Sequence, residues 1–289
     1  MIYTFETKRS SNKFIHGFVK NFESKNFTYV TGPGEQFYNI SWPSWNETLE
    51  NGVEIAFQGI IRNTHKLVEA CKENNNDYYY FDQPYFFGTN YANHHIFNDV
   101  WYRIIKNDVQ QCTTDTNLKH MVRFKEIYNR CNDGIVLEDW RTKGDHILVI
   151  PPSHHTARWY HINETEWVDN IVKEIRKHTD REIRVRYKYV NGMTFGEKNK
   201  TPLKEDFKNC WAIVSWHSMC ASEAVVKGIP SFSSIHSPAA PVSLKLNELN
   251  KIENPVMPKR EQWLYSLLGS QFTLQEMQSG YAYRYINEF

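Results

Sequence analysis

The sequence has no hydrophobic run long enough to cross a membrane. No window approaches the ~18 uncharged apolar residues of a membrane-spanning helix, and no basic segment followed by an apolar stretch opens the chain. We therefore expect neither a membrane contact nor a secretory signal. A charge excess is also absent, because Lys and Arg total 34 and Asp and Glu total 33, for a net charge of +1. This balance argues against wholly electrostatic binding to nucleic acid but leaves room for a local basic groove.

Several residue patterns with known chemistry are also missing. The five cysteines are widely spaced and form no CxxC pair, which argues against a disulfide framework or zinc ribbon and favours a reduced, cytoplasmic protein. The motifs GxxxxGKS/T, GxSxG, HExxH and DxD do not occur. Their absence disfavours P-loop kinases, α/β-hydrolases and metal-clamped DxD transferases, and we expect no bound metal. Gly32-Pro33-Gly34 lacks the third glycine of a dinucleotide-binding loop.

The chain does contain alternating strand and helix patterns. Hydrophobic residues make up 40% of 289 residues, enough for two domains. In the first half, residues 53–61, 64–73 and 77–81 predict a strand, a helix and a strand, a parallel, right-handed βαβ unit. The second half predicts strands at 146–150, 182–188, 211–216 and 229–232, and helices at 165–179, 202–209 and 219–227. Residues 258–288 predict one or two helices with a break near Gly269-Ser270.

This order of elements predicts an α/β fold with two doubly wound, Rossmann-like domains facing a cleft. We expect the first domain to span residues 1–140, the second residues 141–268, and a C-terminal helical segment residues 269–289. The boundary is predicted in the Gly- and Asp-containing stretch between Cys131 and Gly144.

The strongest candidate site is the turn from strand to helix at residues 215–224, Ser-Trp-His-Ser-Met-Cys-Ala-Ser-Glu-Ala. In open α/β sheets ligands bind beyond the carboxyl ends of strands, and a helix N-terminus there attracts anions. Ser218 can add a hydroxyl donor, and Glu223 can meet ribose hydroxyls. The alternative is that Ser218 only caps the helix and Glu223 faces solvent.

A second candidate is the strand 182–188, where Arg184, Arg186 and Lys188 alternate with apolar residues. Three cations on one strand face, pointed into a cleft, would neutralise a diphosphate. The alternative is a solvated edge strand protected by its positive charge.

Two further strands end in polar residues. Ser153 follows one of them and precedes His154-His155. Adjacent histidines on an extended chain point in different directions, so we expect no two-histidine metal site there or at His94-His95. Asp82 ends the other strand among aromatic residues, where a raised pKa would suit a general base. The alternative role for Asp82 is to cap the following loop.

Together these segments resemble the nucleotide-sugar domain of GT-B glycosyltransferases, above all capsule-polysaccharide and Kdo-transferase-like enzymes and their small phage-encoded relatives. The segments that carry the resemblance are residues 183–188 (IRVRYK), 212–218 (AIVSWHS), Glu223-Ala224, Gly228-Ile229-Pro230 and the tail 260–267 (REQWLYSL) with 271–273 (QFT). Residues 80–87 with Trp101-Tyr102-Arg103 resemble the N-terminal D-x-x-Y-F … Y-R segment of the phage proteins.

The resemblance implies an inverting hexosyl- or pentosyltransferase that uses a nucleotide-sugar, with a UDP-sugar as the expected donor and no essential divalent metal. It implies donor contacts from Ser153, Arg186, Lys188, Ser215, His217, Ser218 and Glu223. Asp82 would deprotonate the acceptor hydroxyl, and the C-terminal helix would return to the first, acceptor-binding domain. The capsule pattern has lysine-proline-histidine where this chain has Lys188-Tyr189-Val190, so the donor stays open.

The phage relatives imply a 5-hydroxymethylpyrimidine, above all 5-hydroxymethylcytosine, in double-stranded DNA as the acceptor, modified in the host cytoplasm. Tyr85, Trp101 and Arg103 are the expected acceptor contacts. Further residues of the first half that could stack on a flipped base are Trp42, Trp45, Tyr91 and His94. The alternative acceptor is a surface polysaccharide. Two other classes stay open: a non-catalytic module that binds a nucleotide or sugar, and an interaction protein that uses exposed aromatic residues.

Overall fold

The computed structural model describes two compact units. The described residues are 1–7, 13–29, 49–60, 64–86, 101–114, 121–123, 125–127, 135–187 and 202–288. Unit 1 comprises Met1–Gln111 and Leu267–Phe289, and unit 2 comprises Cys112–Ser266. The chain therefore leaves unit 1 near residue 111, earlier than the boundary at residue 140 expected from the sequence, and returns to it near residue 267. None of the described helices is long and apolar enough to span a bilayer.

Unit 1 is built on a mixed sheet of six strands. These are β1 (Ile2–Thr7), β2 (Ser24–Tyr29), β3 (Glu54–Gln58), β4 (Tyr78–Asp82), β5 (Trp101–Lys106) and β11 (Gln271–Thr273). Their order is β11-β5-β4-β3-β1-β2. The four strands from β1 to β4 are parallel, whereas β5 and β11 add antiparallel partners at one edge. The chain steps to one side of β1 and then to the other, so this part of the sheet is doubly wound.

Four helices of unit 1 bury one apolar face each. They are α1 (Lys13–Val19), α2 (His65–Glu73), α8 (Leu274–Gln278) and α9 (Tyr281–Asn287). The two C-terminal helices share a core with α1 and with Tyr79 and Phe81 of β4. A Cβ atom on Gly17 would lie 2.9 Å from Leu274 Cδ1, so glycine permits the close approach of α1 and α8.

Unit 2 contains a wholly parallel sheet of five strands. These are β6 (His146–Ile150), β7 (Glu182–Val185), β8 (Cys210–Ser215), β9 (Ser231–Ser233) and β10 (Leu244–Lys245), in the order β10-β9-β8-β6-β7. Every residue of β6 and β8 is buried, as expected for parallel strands covered on both faces. Ile147 and Val149 point to one core cluster, and Leu148 and Ile150 point to the other.

The three helices predicted between residues 165 and 227 are present in unit 2, and the helix that begins at His154 was not predicted. Its helices include α3 (His154–Trp159), α4 (Glu164–Arg176), α5 (Leu203–Asp206), α6 (Met219–Val226) and α7 (Glu261–Gly269), with 3₁₀ turns at Ala240–Val242 and Leu246–Lys251. The boundary between the units falls within α7. The α/β class is confirmed. The break expected near Gly269-Ser270 leads into strand β11, which sequence periodicity did not predict.

Candidate functional site

The sheet of unit 2 has its topological switch point between β6 and β8. The chain runs from β6 to β7 on one side, whereas β8 and β9 lie on the other. The pairing of β6 with β8 ends at Ile150 and Ser215, and α3 and α6 begin a few residues beyond these strand ends. Ligands of doubly wound sheets bind in the crevice at such a point. The turn after β8 is therefore the candidate site.

Helix α6 presents its N-terminus at this point. Ser218 is the N-cap residue, and its Oγ accepts a hydrogen bond from the Cys220 backbone N–H at 3.2 Å. The Ser218 hydroxyl proton is still a donor, so capping and anion binding are compatible roles for this residue. The first turn of α6 contains no acidic side chain, so the helix dipole favours an anion here.

Buried polar side-chain atoms occur at the end of β8, in the loop after it, in β9 and in α6. Five of them have no hydrogen-bond partner among the described residues: the Oγ atoms of Ser215, Ser222, Ser231 and Ser233, and Nε1 of Trp216. Ser215 is 0% exposed and stands in register with Ser233, so the two side chains share one face of the sheet. An unsatisfied buried hydroxyl costs about 1–3 kcal/mol. Ser215 therefore marks a place suited to a polar partner directly before the helix terminus.

Four rings from three loops gather beside the same helix terminus. Tyr160 follows α3, Trp216 and His217 follow β8, and His236 follows β9. The Tyr160 ring centroid lies 4.8 Å from that of His236, 6.0 Å from Trp216 and 6.4 Å from His217. The Trp216 carbonyl accepts the Ser234 N–H at 3.3 Å, which ties the loop after β8 to the loop after β9. All four residues are half-buried, and we call them the ring cluster.

Glu223 lies in α6, five positions after the cap. Burial raises the pKa of its carboxyl group above the ordinary value. The residue is half-buried, so its carboxyl group is only partly solvated. Sugar hydroxyls are suitable partners for a carboxyl group in this environment.

Two arginines in and just after β7 already form ion pairs with carboxylate groups. Arg184 is exposed, and its Nε and Nη2 donate to the two carboxylate oxygens of Glu182 at 2.9 and 2.7 Å. Arg186 follows β7 and forms an ion pair with Asp206 of α5. Lys188 lies outside the described residues. A phosphate bound by Arg186 would have to share this guanidinium with Asp206.

Ser153 follows the carboxyl end of β6, the strand that pairs with β8, so it lies at the same end of the sheet as Ser218. It caps α3, and its Oγ lies 3.0 Å from Thr156 Oγ1. His154 Nδ1 lies 3.4 Å from Glu164 Oε1, so this histidine is directed to an acidic side chain. The described part of the chain contains no group of three or more His, Cys, Asp or Glu residues that could bind a metal ion.

In unit 1, Asp82 is held at the carboxyl end of β4. Its Oδ2 accepts hydrogen bonds from the Tyr80 hydroxyl and from Arg103 Nη2, both at 2.8 Å. Its Oδ1 accepts the Gln83 N–H at 2.8 Å. The Asp82 side chain is 31% exposed, whereas that of Arg103 is 4% exposed. The Asp82 carboxylate is therefore held in one orientation by the buried Arg103 guanidinium and stays partly open to solvent.

The three residues expected to contact the acceptor lie beneath the surface. Tyr85 and Trp101 are 2% exposed and Arg103 is 3% exposed. The Tyr85 ring packs 4.9 Å from the Arg103 guanidinium carbon, and its hydroxyl donates to Gln110 at 3.0 Å. Arg103 supports Asp82, Tyr85 packs on Arg103 and Trp101 is buried, and burial this deep leaves no surface for a large acceptor. The further stacking candidates Trp42, Trp45, Tyr91 and His94 lie outside the described residues.

The structure adds site residues that the sequence analysis missed. Tyr160 and His236 lie near Trp216 because the segments after α3 and after β9 come together, and no local sequence pattern predicts this. Ser231 and Ser233 did carry a signal, since serines alternate there within a strand that is otherwise apolar.

Gly228 closes α6 in the left-handed region, with a φ of 71° and with Asp139 O where a Cβ would lie.

The candidate site lies in a doubly wound, parallel α/β unit, beside the N-terminus of a helix. No protein-family model and no curated protein sequence matches the chain.

Two solved structures from Thermosulfurimonas dismutans are similar to the chain over most of its length. The KpsC β-Kdo 2,7-transferase is 12% identical with a TM-score of 0.49, covering 96% of this chain and 97% of its own. The KpsC β-Kdo 2,4-transferase is 9% identical with a TM-score of 0.48, covering 93% and 90%. A LacI-type transcriptional regulator from Bacteroides fragilis is 10% identical with a TM-score of 0.25. Similarities this low assign neither an activity nor a substrate to this chain.

Proposed function

We propose that this protein is a glycosyltransferase that binds the phosphate of a nucleotide-sugar at the N-terminus of α6. One observation carries the proposal. At the switch point of a parallel sheet, a helix whose first turn has no acidic side chain follows the buried hydroxyl of Ser215, which has no hydrogen-bond partner among the described residues. Oriented N–H groups together with hydroxyl donors suit a phosphate oxygen.

The proposed reaction transfers the sugar in a single displacement. The acceptor oxygen attacks the anomeric carbon, the bond from that carbon to the phosphate oxygen breaks, and the electron pair leaves on the phosphate. The α6 terminus stabilises this negative charge, the role that a metal ion has in DxD transferases, so turnover should persist in EDTA. The acceptor proton passes to Asp82, whose carboxylate Arg103 and Tyr80 hold in one orientation.

The acceptor in this proposal is a hydroxyl group, and the sequence resemblance suggests two sources for it. One is a 5-hydroxymethylcytosine base in double-stranded DNA and the other is a surface polysaccharide. The activity assay should therefore include both acceptors, with UDP-, CMP-, GDP-, ADP- and dTDP-sugars as donors.

Asp82→Asn tests whether the protein is an enzyme or only a binding module. Turnover should fall at least about 100-fold, because a general base contributes about 10²–10⁴-fold, while donor affinity stays within error. Asp77→Asn is the matched control, since Asp77 lies just before the opposite end of β4 in an ion pair with Lys106 at 2.8 Å. Donor binding without turnover in the wild type would indicate a non-catalytic module. Full turnover in Asp82→Asn would exclude Asp82 as the base.

A further inference from the structure

The ring cluster has no part in the phosphate-binding and proton-transfer roles described above. We propose that Trp216, flanked by Tyr160 and His236, is the stacking surface for the nucleobase of the donor. This inference rests on the proposed phosphate site at α6 and adds the part of the ligand that lies beyond the ribose.

The indole of Trp216 meets its ring neighbours without face-to-face stacking. Tyr160 meets it at an interplanar angle of 66° and a centroid distance of 6.0 Å. His236 is tilted by 42° at 6.5 Å. Among the described residues, neither of these rings stacks parallel on the indole.

Position along the chain links this surface to the phosphate site. Trp216 precedes Ser218 by two residues, which span at most about 7 Å of chain. A ribose bridges a separation of this size between a base on the indole and a phosphate at the α6 terminus. The bond from Ser234 to the Trp216 carbonyl fixes the backbone at this point.

The indole N–H adds a polar contact of the right kind. Trp216 Nε1 is buried and has no hydrogen-bond partner in the described residues. An indole N–H is a donor only. This N–H lies in the plane of the ring, so its acceptor would be a ligand oxygen beside the indole, such as one of the ribose, and not the base stacked on the face.

The test compares nucleotides with a probe that lacks the base. Isothermal titration of the full chain would use UMP, CMP, GMP and AMP beside ribose 5-phosphate, which lacks only the base. We expect at least one nucleotide to bind roughly 5- to 150-fold more tightly than ribose 5-phosphate, the range for stacking one base on an aromatic ring. Trp216→Leu should remove this advantage without changing ribose 5-phosphate affinity, and Trp216→Phe should keep most of it.

Control variants separate stacking from a structural effect. Trp167→Leu changes a half-buried tryptophan that packs against the core cluster containing Ile147 and Val149. It should alter neither the nucleotide affinity nor the ribose 5-phosphate affinity. If Trp216→Leu unfolds, Tyr160→Leu serves as the second variant, with the same expected selective loss of nucleotide affinity.

Three results would overturn the inference. An equal loss for both probes in Trp216→Leu would mean that Trp216 only orders α6. Nucleotides that bind no more tightly than ribose 5-phosphate would refute the stacking surface while leaving the phosphate site intact. No binding of either probe would remove the phosphate site and the inference together.

Discussion

At the scale of single residues, Glu223 lies where a charged carboxylate is unfavourable in the free protein. Burial raises its pKa, so the folded state takes up a proton at a higher pH than the unfolded chain does. Stability therefore falls as the pH rises from the unfolded-state pKa through the folded-state pKa. Under the proposed function, this cost to stability is expected of a residue that binds a ligand.

Glu223→Gln separates the stability role from the binding role. The variant should unfold at higher denaturant concentration than the wild type near pH 7, and this difference should shrink near pH 4, where the wild-type carboxyl group is also neutral. Donor affinity should fall roughly tenfold or more, because a hydrogen bond to a charged group is lost. An equal stability difference at both pH values would show that ionisation of Glu223 is not the cause.

At the scale of elements, the two ends of α6 differ in their hydrogen-bond partners. Its N-terminus adjoins the candidate site, while its C-terminal carbonyls are taken by neighbouring segments. The Glu138 N–H donates to Val226 O at 2.9 Å, and the Arg260 guanidinium donates to Val225 O and Glu138 O. The guanidinium carbon of Arg260 also lies 3.9 Å from the Trp140 ring centroid. These contacts fix the helix at the end remote from the candidate site.

Arg260→Gln tests this anchor. It should lower the free energy of unfolding by about 1.5–3 kcal/mol, since buried carbonyls lose charge-assisted donors. Lys227→Gln is the matched control, because Lys227 forms an ion pair with the Glu138 side chain at 2.6 Å between two exposed groups. Such a pair contributes about 0–1 kcal/mol. Denaturant titrations that gave both variants the same small loss would argue against the anchor.

Buried parallel strands made the elements of unit 2 predictable from sequence. β6 and β8 are covered on both faces and read as short apolar runs, and Gly228 with Pro230 marks the end of α6. β11 could not be predicted in this way, because three residues between two helices give no period. Its place is fixed by pairing with β5, where Phe272 stands opposite Tyr102.

The candidate site was only partly predictable, for a similar reason. The turn at residues 215–218 carries a local signal, a strand followed by a capping serine. The supports of Asp82 do not, because Arg103 reaches it through antiparallel pairing of β4 with β5. Pairing across a sheet depends on which strands become neighbours, and local sequence does not specify this.

At the scale of the whole molecule, the chain begins and ends in unit 1. The C-terminal segment adds β11, α8 and α9 to the first unit, and a polar network attaches α9 to the sheet. The Tyr283 hydroxyl donates to Glu54 Oε2 at 2.9 Å, and the Tyr79 hydroxyl lies 3.0 Å from Asn287 Oδ1. Unit 2, which holds the candidate donor site, is thus an insertion between the two parts of unit 1.

Thermal denaturation with nucleotide-sugars in EDTA tests the central claim most directly. We expect one nucleotide-sugar at 100 times its Kd to raise the free energy of unfolding by about 2.7 kcal/mol. Ser218→Ala should weaken this stabilisation. Thr273→Ala, which removes the N-cap of α8 in unit 1, should lower the melting temperature and leave the ligand response unchanged. If no nucleotide-sugar stabilises the wild type at millimolar concentration, the α6 terminus is not a donor site and the proposed function is wrong.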